Sequence, residues 1–275
     1  MAENTDQLIR FLLPDAHCRG VVIRAQHLFA EANRIHGLNG QVARLFDQTL
    51  LASILLLSIS KGGMRQVLQL DATTPAPLQR MLVETRCGAV RGYLNWQEDQ
   101  TAIHHTESAG LNSWMGTPIR LSTVRDLGVG QPYISTIEHD SDFLADHLIH
   151  YLNQSVQIRS DIILHGDLAI MIEAMPGCDD EHWFKAVESM AKIPDQALEY
   201  ETPESLLGYF ESLRCKLAGT DNYRYQCDCN AEKMAQAVRN LPAVQLASLI
   251  DKSGKITVSC QYCDTHHVIK PESKR

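Results

Sequence analysis

The chain has 275 residues, of which 44% are hydrophobic and 21% are charged, and these proportions are typical of a globular protein with one large domain and one or two small ones. The formal net charge of −8 argues against a general nucleic-acid binder, which is normally basic. The N-terminus is acidic, unlike a secretory signal, and the most apolar run, residues 50–59, falls far short of the ~20 residues that cross a bilayer. We therefore expect a soluble, cytoplasmic protein with no membrane or nucleic-acid partner.

Residues 1–176 predict an N-terminal domain that mixes helices with a sheet. Short apolar segments indicate strands at 20–24, 67–70, 92–96, 133–137 and 169–174. Hydrophobic residues at helical spacing predict helices over 42–57 and 144–152. The strands occur in clusters without regular βαβ alternation, which favours the α+β class. The dipeptide Pro176-Gly177 closes this domain.

Residues 177–224 predict a helical linker. Between 178 and 225 there are ten acidic and five basic residues, yet the segment carries two apolar stripes at helical spacing. The second stripe follows Thr202 and Pro203, which suit an N-cap and a first helical residue. Two short helices cannot bury their own apolar faces, so we predict that the linker is metastable and depends on its neighbours for order. The stripes are Trp183, Val187, Met190 and Ala191, then Leu206, Phe210, Leu213 and Leu217.

Residues 225–275 predict a small C-terminal module built around a metal. Thirty residues separate a Cys-x-Cys pair from a Cys-x-x-Cys pair, enough for a helix capped by Asn230 and a returning strand at 256–259. Four sulfurs in a tetrahedron are a typical structural zinc site, and a module of about fifty residues usually needs such a staple. We therefore predict one Zn²⁺ per chain, bound by Cys227, Cys229, Cys260 and Cys263.

Other histidines and cysteines are weaker candidates. His266 or His267 could in principle replace a cysteine ligand, but we interpret them as a surface pair at the end of a strand. His104 and His105 have no ligand partner at a suitable spacing, which favours a solvated loop. The remaining cysteines also lack such a partner, and we predict that they are dispensable for any redox response: Cys18, Cys87, Cys178 and Cys215.

Several segments together resemble the heat-shock protein 33 family, the redox-regulated holdase chaperones of the bacterial cytoplasm. The spacing of the two cysteine pairs near the C-terminus matches that family's zinc signature. Residues 6–11, followed by Cys18-Arg19-Gly20, resemble its opening strand, and residues 151–157 resemble its Tyr-Phe-x-Gln-Ser-Glu-Gln segment. Residues 171–176 resemble the end of its N-terminal domain. The resemblance extends over nearly the whole chain.

This resemblance implies an ATP-independent chaperone that is not an enzyme. In the reduced form zinc is bound and activity is low; oxidation forms the disulfides Cys227–Cys229 and Cys260–Cys263, releases zinc and unfolds the linker. The activated form is implied to be a homodimer that holds unfolded or partly folded client proteins. The chain departs from the family pattern where Asn230 replaces a serine, where His266 or His267 replaces an aromatic residue, and where Val156 replaces a glutamate.

Two functions from other classes compete with this interpretation. A zinc-ribbon nucleic-acid adaptor needs a basic surface around the cysteine pairs, and here basic and acidic residues nearly balance. An enzyme with a structural zinc needs a polar constellation in the first domain. Asp15, His17 and Cys18 are close in sequence, but alternate residues of a strand face opposite ways. A four-cysteine zinc site also lacks the open coordination position that metal catalysis requires.

Overall fold

A computed structural model of the chain describes residues 5–59, 64–96, 110–251 and 254–269. The chain divides into two compact units, Met1–Tyr225 and Gln226–Arg275. His104 and His105 lie outside the described residues. Within the described residues, none of the helices has the length and apolar character needed to span a membrane.

The first unit is built on a ten-stranded sheet with the order β7-β6-β3-β4-β5-β10-β1-β2-β9-β8. Neighbouring strands are antiparallel except β10 and β5, which are parallel. The strands are β1 (Asp6–Leu13), β2 (Cys18–Arg24), β3 (Arg65–Ala72), β4 (Leu78–Arg86), β5 (Ala89–Trp96), β6 (Ile119–Asp126), β7 (Tyr133–His139), β8 (Ser160–His165), β9 (Leu168–Ala174) and β10 (Lys216–Tyr225).

Helices cover both faces of the half of the sheet that contains β1, β2 and β9. The helices of the first unit are α1 (Gln26–His36), α2 (Gly40–Ser58), α3 (Leu111–Met115), α4 (Leu144–Tyr151), α5 (Asp180–Ala191), α6 (Asp195–Tyr200) and α7 (Pro203–Leu206). Because side chains alternate across a strand, Leu8 packs in the core with α2, whereas Ile9 and Phe11 pack in a second core with α5 and the residues after α7. The predicted α+β class is confirmed.

The central helix α2 is the main element of the larger core. It spans Gly40–Ser58, which contains the helix predicted over 42–57, and most of its side chains are buried. A helix that is apolar on nearly all sides is one that lies inside a protein. The core around α2 includes residues of both halves of the sheet, among them Leu8 and Met171 from one half and Leu68 and Met81 from the other.

The second linker stripe does not form one continuous helix. Helix α7 ends at Leu206, a 3₁₀ segment runs from Leu207 to Leu213, and Arg214 is left-handed at φ 56°. The chain then enters β10, where Leu217 is 68% exposed instead of buried. Pairing of β10 with β1 and β5 overrides the helical spacing, because it satisfies backbone groups along the middle of the sheet. The linker helices pack within the first unit, and the division at 1–176, 177–224 and 225–275 stays a prediction.

Candidate metal centre

The second unit holds the two cysteine pairs on a helix N-terminus and a hairpin. It consists of α8 (Ala231–Arg239), α9 (Ala243–Leu249), β11 (Ile256–Ser259) and β12 (His266–Ile269). Cys227 and Cys229 precede α8, which Asn230 caps by accepting a hydrogen bond from the Lys233 backbone N–H at 2.9 Å. The apolar core that the described part of the unit forms is small, and its buried members are Val238, Ile256 and Ile269.

The second pair occupies the turn between β11 and β12. The backbone N–H of Cys260 donates to the Thr265 carbonyl at 3.0 Å, and the N–H groups of Cys263 and Asp264 donate back to the Cys260 carbonyl. Asp264 takes a left-handed conformation at φ 56°, which tightens the turn. These bonds turn both sulfurs of the Cys-x-x-Cys pair toward one point.

The sulfurs of Cys227, Cys229, Cys260 and Cys263 all lie within 4.8 Å of one another. Sγ of Cys227 is 3.7 Å from Sγ of Cys260, and Sγ of Cys229 is 3.4 Å from Sγ of Cys263. Four sulfurs around zinc at about 2.3 Å would be separated by about 3.8 Å at the corners of a regular tetrahedron. The donor set and its spacing therefore fit a zinc ion, and among the described residues this is the one group of three or more potential ligands that could hold a metal.

The electrostatics of the cluster also favour a bound cation. Burial raises the pKa of Cys229 and Cys260 above the ordinary thiol value. Burial also opposes ionisation of Cys263, but hydrogen bonding with Thr265, whose Oγ1 lies 3.3 Å from the sulfur, and with the Cys229 and Cys227 sulfurs lowers the pKa of Cys263 to about 7. The cluster thus combines one thiol whose pKa is lowered with two whose pKa is raised. Four thiolates at this spacing require a positive charge among them.

His267 contacts the cluster, whereas His266 does not. Nε2 of His267 lies 3.3 Å from Sγ of Cys229, and the imidazole is half-buried. His266 is exposed, and its Nδ1 lies 2.6 Å from Oγ of Ser259. Adjacent residues of β12 face opposite sides, so only one of the two can reach the sulfurs. The interpretation of both as a surface pair therefore fails for His267.

Two of the scattered cysteines lie together in the first unit. Sγ of Cys18 is 3.6 Å from Sγ of Cys178, although 160 positions separate them in sequence. Cys18 is fully buried and Cys178 is partly exposed. Sequence reasoning missed this contact because it depends on how β2 pairs with β9. Cys87 is exposed, and Cys215 is partly buried.

The residues Asp15, His17 and Cys18 do not form a catalytic group. The carboxylate of Asp15 accepts hydrogen bonds from the guanidinium of Arg214, with Nε–Oδ1 at 2.6 Å. The ring of His17 meets the ring of His182 edge to face at 5.0 Å. Cys18 donates its thiol proton to the Ala16 carbonyl at 3.2 Å. Their partners are thus three different groups, and each has a structural contact of its own.

Comparison with known proteins gives one consistent result. A family model described as Hsp33 protein matches residues 6–270. The 33 kDa chaperonin of Geobacter sulfurreducens is 26% identical over 278 residues, with 96% of this chain and 91% of that protein covered. The 33 kDa chaperonin of Bacillus subtilis is 24% identical over 97% of this chain and 96% of that protein.

A solved structure has the same fold. The crystal structure of the 33 kDa chaperonin (heat shock protein 33 homologue) from Thermotoga maritima superposes with a TM-score of 0.77 and covers 96% of this chain and 94% of that one. The two sequences are 22% identical, so this likeness bears on the fold alone. Fold and family model agree over nearly the entire length.

Proposed function

The chain belongs to the Hsp33 family, and from that premise we propose that it is a redox-regulated, ATP-independent holdase whose switch is the four-cysteine cluster. The observation that carries this proposal is the approach of four sulfurs to within 4.8 Å. Relatives along the whole chain are named 33 kDa chaperonins, which supports a chaperone that binds unfolded proteins and performs no catalysis. Its partners are then unfolded clients, it works in the cytoplasm, and its active form is a homodimer.

In the reduced state the ligands of one zinc ion are Cys227, Cys229, Cys260 and Cys263. Bound zinc would keep the four sulfurs as thiolates and organise the second unit around them. Among the described residues of the unit, the apolar core has three buried side chains, so this core contributes little to stability. Structural zinc contributes on the order of 10–16 kcal/mol of apparent binding free energy in small peptide modules, more than such a core could replace.

Oxidation removes the ligands. Each disulfide takes two electrons from two thiols, so two molecules of peroxide convert the cluster to Cys227–Cys229 and Cys260–Cys263 and are themselves reduced to water. This pairing follows the family resemblance. Without thiolates and metal, the second unit loses its main source of order.

The linker, residues 177–224, carries the signal to the client-binding surface. Its buried side chains, among them Trp183, Met190 and Phe210, cover the face of β1, β2 and β9 that carries Ile9 and Phe11. Release of the linker would expose both apolar surfaces, and a holdase needs such area to capture unfolding chains. Order-to-disorder transitions of a segment are an established mode of switching.

Chain continuity connects the cluster with this region. Strand β10 ends at Tyr225, two residues before Cys227. The side chain of Tyr225 is buried, and its hydroxyl holds the end of the strand in place. That hydroxyl accepts a hydrogen bond from the Gly92 backbone N–H at 3.2 Å and donates to the Gly92 carbonyl at 2.8 Å. Disorder that begins at the cluster therefore meets β10 first, and β10 directly follows the linker helices.

Zinc content and client holding test the proposal together. Protein purified with reductant should contain about one zinc per chain and should not suppress aggregation of a thermally unfolding client, whereas peroxide-treated protein should release zinc and suppress it. The Cys260→Ser, Cys263→Ser double variant should lose zinc. A variant with serine at the four scattered cysteines is the matched control and should switch normally. Full zinc retention by the double variant would refute the assignment of the zinc ligands. If oxidised wild-type protein did not suppress client aggregation, the proposed holdase function would be refuted.

A further inference from the structure

A turn at the end of β9 places Cys178 against the first residue of β2. Cys18 is paired with Ala174, the last residue of β9, across the antiparallel ladder. The Met175 backbone N–H then donates to the His17 carbonyl at 2.8 Å, and the Cys178 N–H donates to the Met175 carbonyl at 3.0 Å. These two bonds fold residues 175–178 back over the start of β2, which brings the two sulfurs to 3.6 Å.

The two thiols differ in a way that suits a reacting pair. Cys178 is partly exposed, so a small oxidant can reach it from solvent, whereas Cys18 is fully buried. Burial raises the pKa of Cys18, which makes it a poor first nucleophile. A disulfide needs the sulfurs to approach from 3.6 Å to about 2.05 Å, and Cys178 lies beyond the last ladder residue, so no strand pairing has to break for that approach.

We propose that Cys18 and Cys178 are a second oxidisable pair, which hydrogen peroxide closes to an intramolecular disulfide independently of the four-cysteine cluster. The sulfur of Cys178 attacks the peroxide O–O bond, forming a sulfenic acid and releasing one water. The sulfur of Cys18 then attacks the sulfenic sulfur, the S–S bond forms, and the hydroxyl leaves with the Cys18 proton as a second water. Two thiols are oxidised and one peroxide is reduced to two waters.

The disulfide would constrain the short connection between the end of β9 and the start of α5. The residue after Cys178 is Asp179, which caps α5 by accepting a hydrogen bond from the His182 backbone N–H at 2.9 Å. A bond from Cys178 to a fully buried strand residue therefore ties the residue before this cap to the sheet, and leaves α5 and the rest of the linker free to detach. The pair belongs entirely to the first unit, so its oxidation requires no change in the second.

Peptide mapping of the full-length protein tests the pair directly. Trypsin places Cys18 in the peptide 11–19 and Cys178 in the peptide 160–185, and each peptide contains one cysteine. After peroxide treatment and thiol blocking under denaturing conditions, a non-reducing digest should contain these two peptides joined, with a mass about 2 Da below the sum of the reduced peptides. The joined species should persist when the four cluster cysteines are replaced by serine.

Variants separate this contact from general thiol oxidation. Cys178→Ser should abolish the joined species, whereas Cys215→Ser, which removes another partly buried cysteine of the same unit, should leave its yield unchanged. The proposal is overturned if Cys18 is recovered unlinked at peroxide doses that fully oxidise the cluster. It is equally overturned if Cys18 is found joined to any cysteine other than Cys178.

Discussion

Replacing Phe210 by alanine should release the linker from the sheet without any oxidant. Phe210 is fully buried, and its ring lies 5.3 Å from the ring of Phe11 on β1, centroid to centroid. Because this pair joins the 3₁₀ segment Leu207–Leu213 to the sheet, its loss weakens the packing that keeps both apolar surfaces covered.

The size of the effect follows from burial and the cavity left behind. Removing a fully buried phenylalanine costs about 1.5–3 kcal/mol in lost transfer free energy, and the lost aromatic pair adds about 0.5–1.5 kcal/mol. With the cavity included, Phe→Ala changes in cores typically cost about 3–5 kcal/mol. At about 1.4 kcal/mol per tenfold change, the population with an open linker should rise by about 150- to 4,000-fold.

Hydrogen exchange measures this population directly. Amides in residues 203–213 of the reduced Phe210→Ala variant should lose protection by that factor, and the reduced variant should already suppress client aggregation. The matched control is Phe184→Ala, the same substitution on α5 at a side chain that is 65% exposed. It should change stability by no more than about 0.5 kcal/mol.

Two results would refute this reasoning. A loss of protection below tenfold would mean that Phe210 does not hold the 3₁₀ segment on the sheet. Full loss of protection without client holding in the reduced state would mean that exposure of this face is not what activates the protein.

Three further substitutions test the first unit by urea denaturation. Tyr225→Phe should lower the free energy of unfolding by about 1–3 kcal/mol, because it leaves the buried N–H and carbonyl of Gly92 without their hydroxyl partner. Gly20→Ala should lower it by about 1–3 kcal/mol, because an added Cβ would overlap the ring of Phe11. Burial raises the pKa of Asp47 from 3.8 to about 7, so the wild type should lose stability as the pH rises through this range, and the advantage of Asp47→Asn over the wild type should grow with pH.

Matched variants and pH curves make these outcomes decisive. Tyr200→Phe removes a hydroxyl from a side chain that is 73% exposed and should change stability by no more than about 0.5 kcal/mol. Gly208→Ala adds a Cβ with no atom within 4 Å and should be neutral or slightly stabilising. If Tyr225→Phe and Tyr200→Phe change stability equally, the hydroxyl contact with Gly92 is wrong, and if Gly20→Ala and Gly208→Ala do so, the overlap with Phe11 is wrong. If the stability of wild type and of Asp47→Asn changes with pH in parallel, the raised pKa of the Asp47 carboxyl is wrong.

Local patterns in the sequence were sufficient for the features that depend on neighbouring residues. The spacing of Cys227, Cys229, Cys260 and Cys263 predicted a four-sulfur cluster, because each pair converges within a single turn of chain. Helix α2 followed from its apolar periodicity, since a helix places residues on faces by their spacing alone. The resemblance to the heat-shock protein 33 family rested on such local segments and is confirmed.

Tertiary structure alone decided the features that depend on which strands meet. β10 lies between β5 and β1, so its residues pair with partners more than a hundred positions away. For this reason the helical stripe that was predicted to include Leu217 ends before that residue. The contact between Cys18 and Cys178 likewise depends on the register of β2 against β9. The periodicity of a sequence indicates which side chains share one face of an element, but not which other element that face packs against. That choice is made by strand register and packing over the whole unit, and no short stretch of sequence contains it.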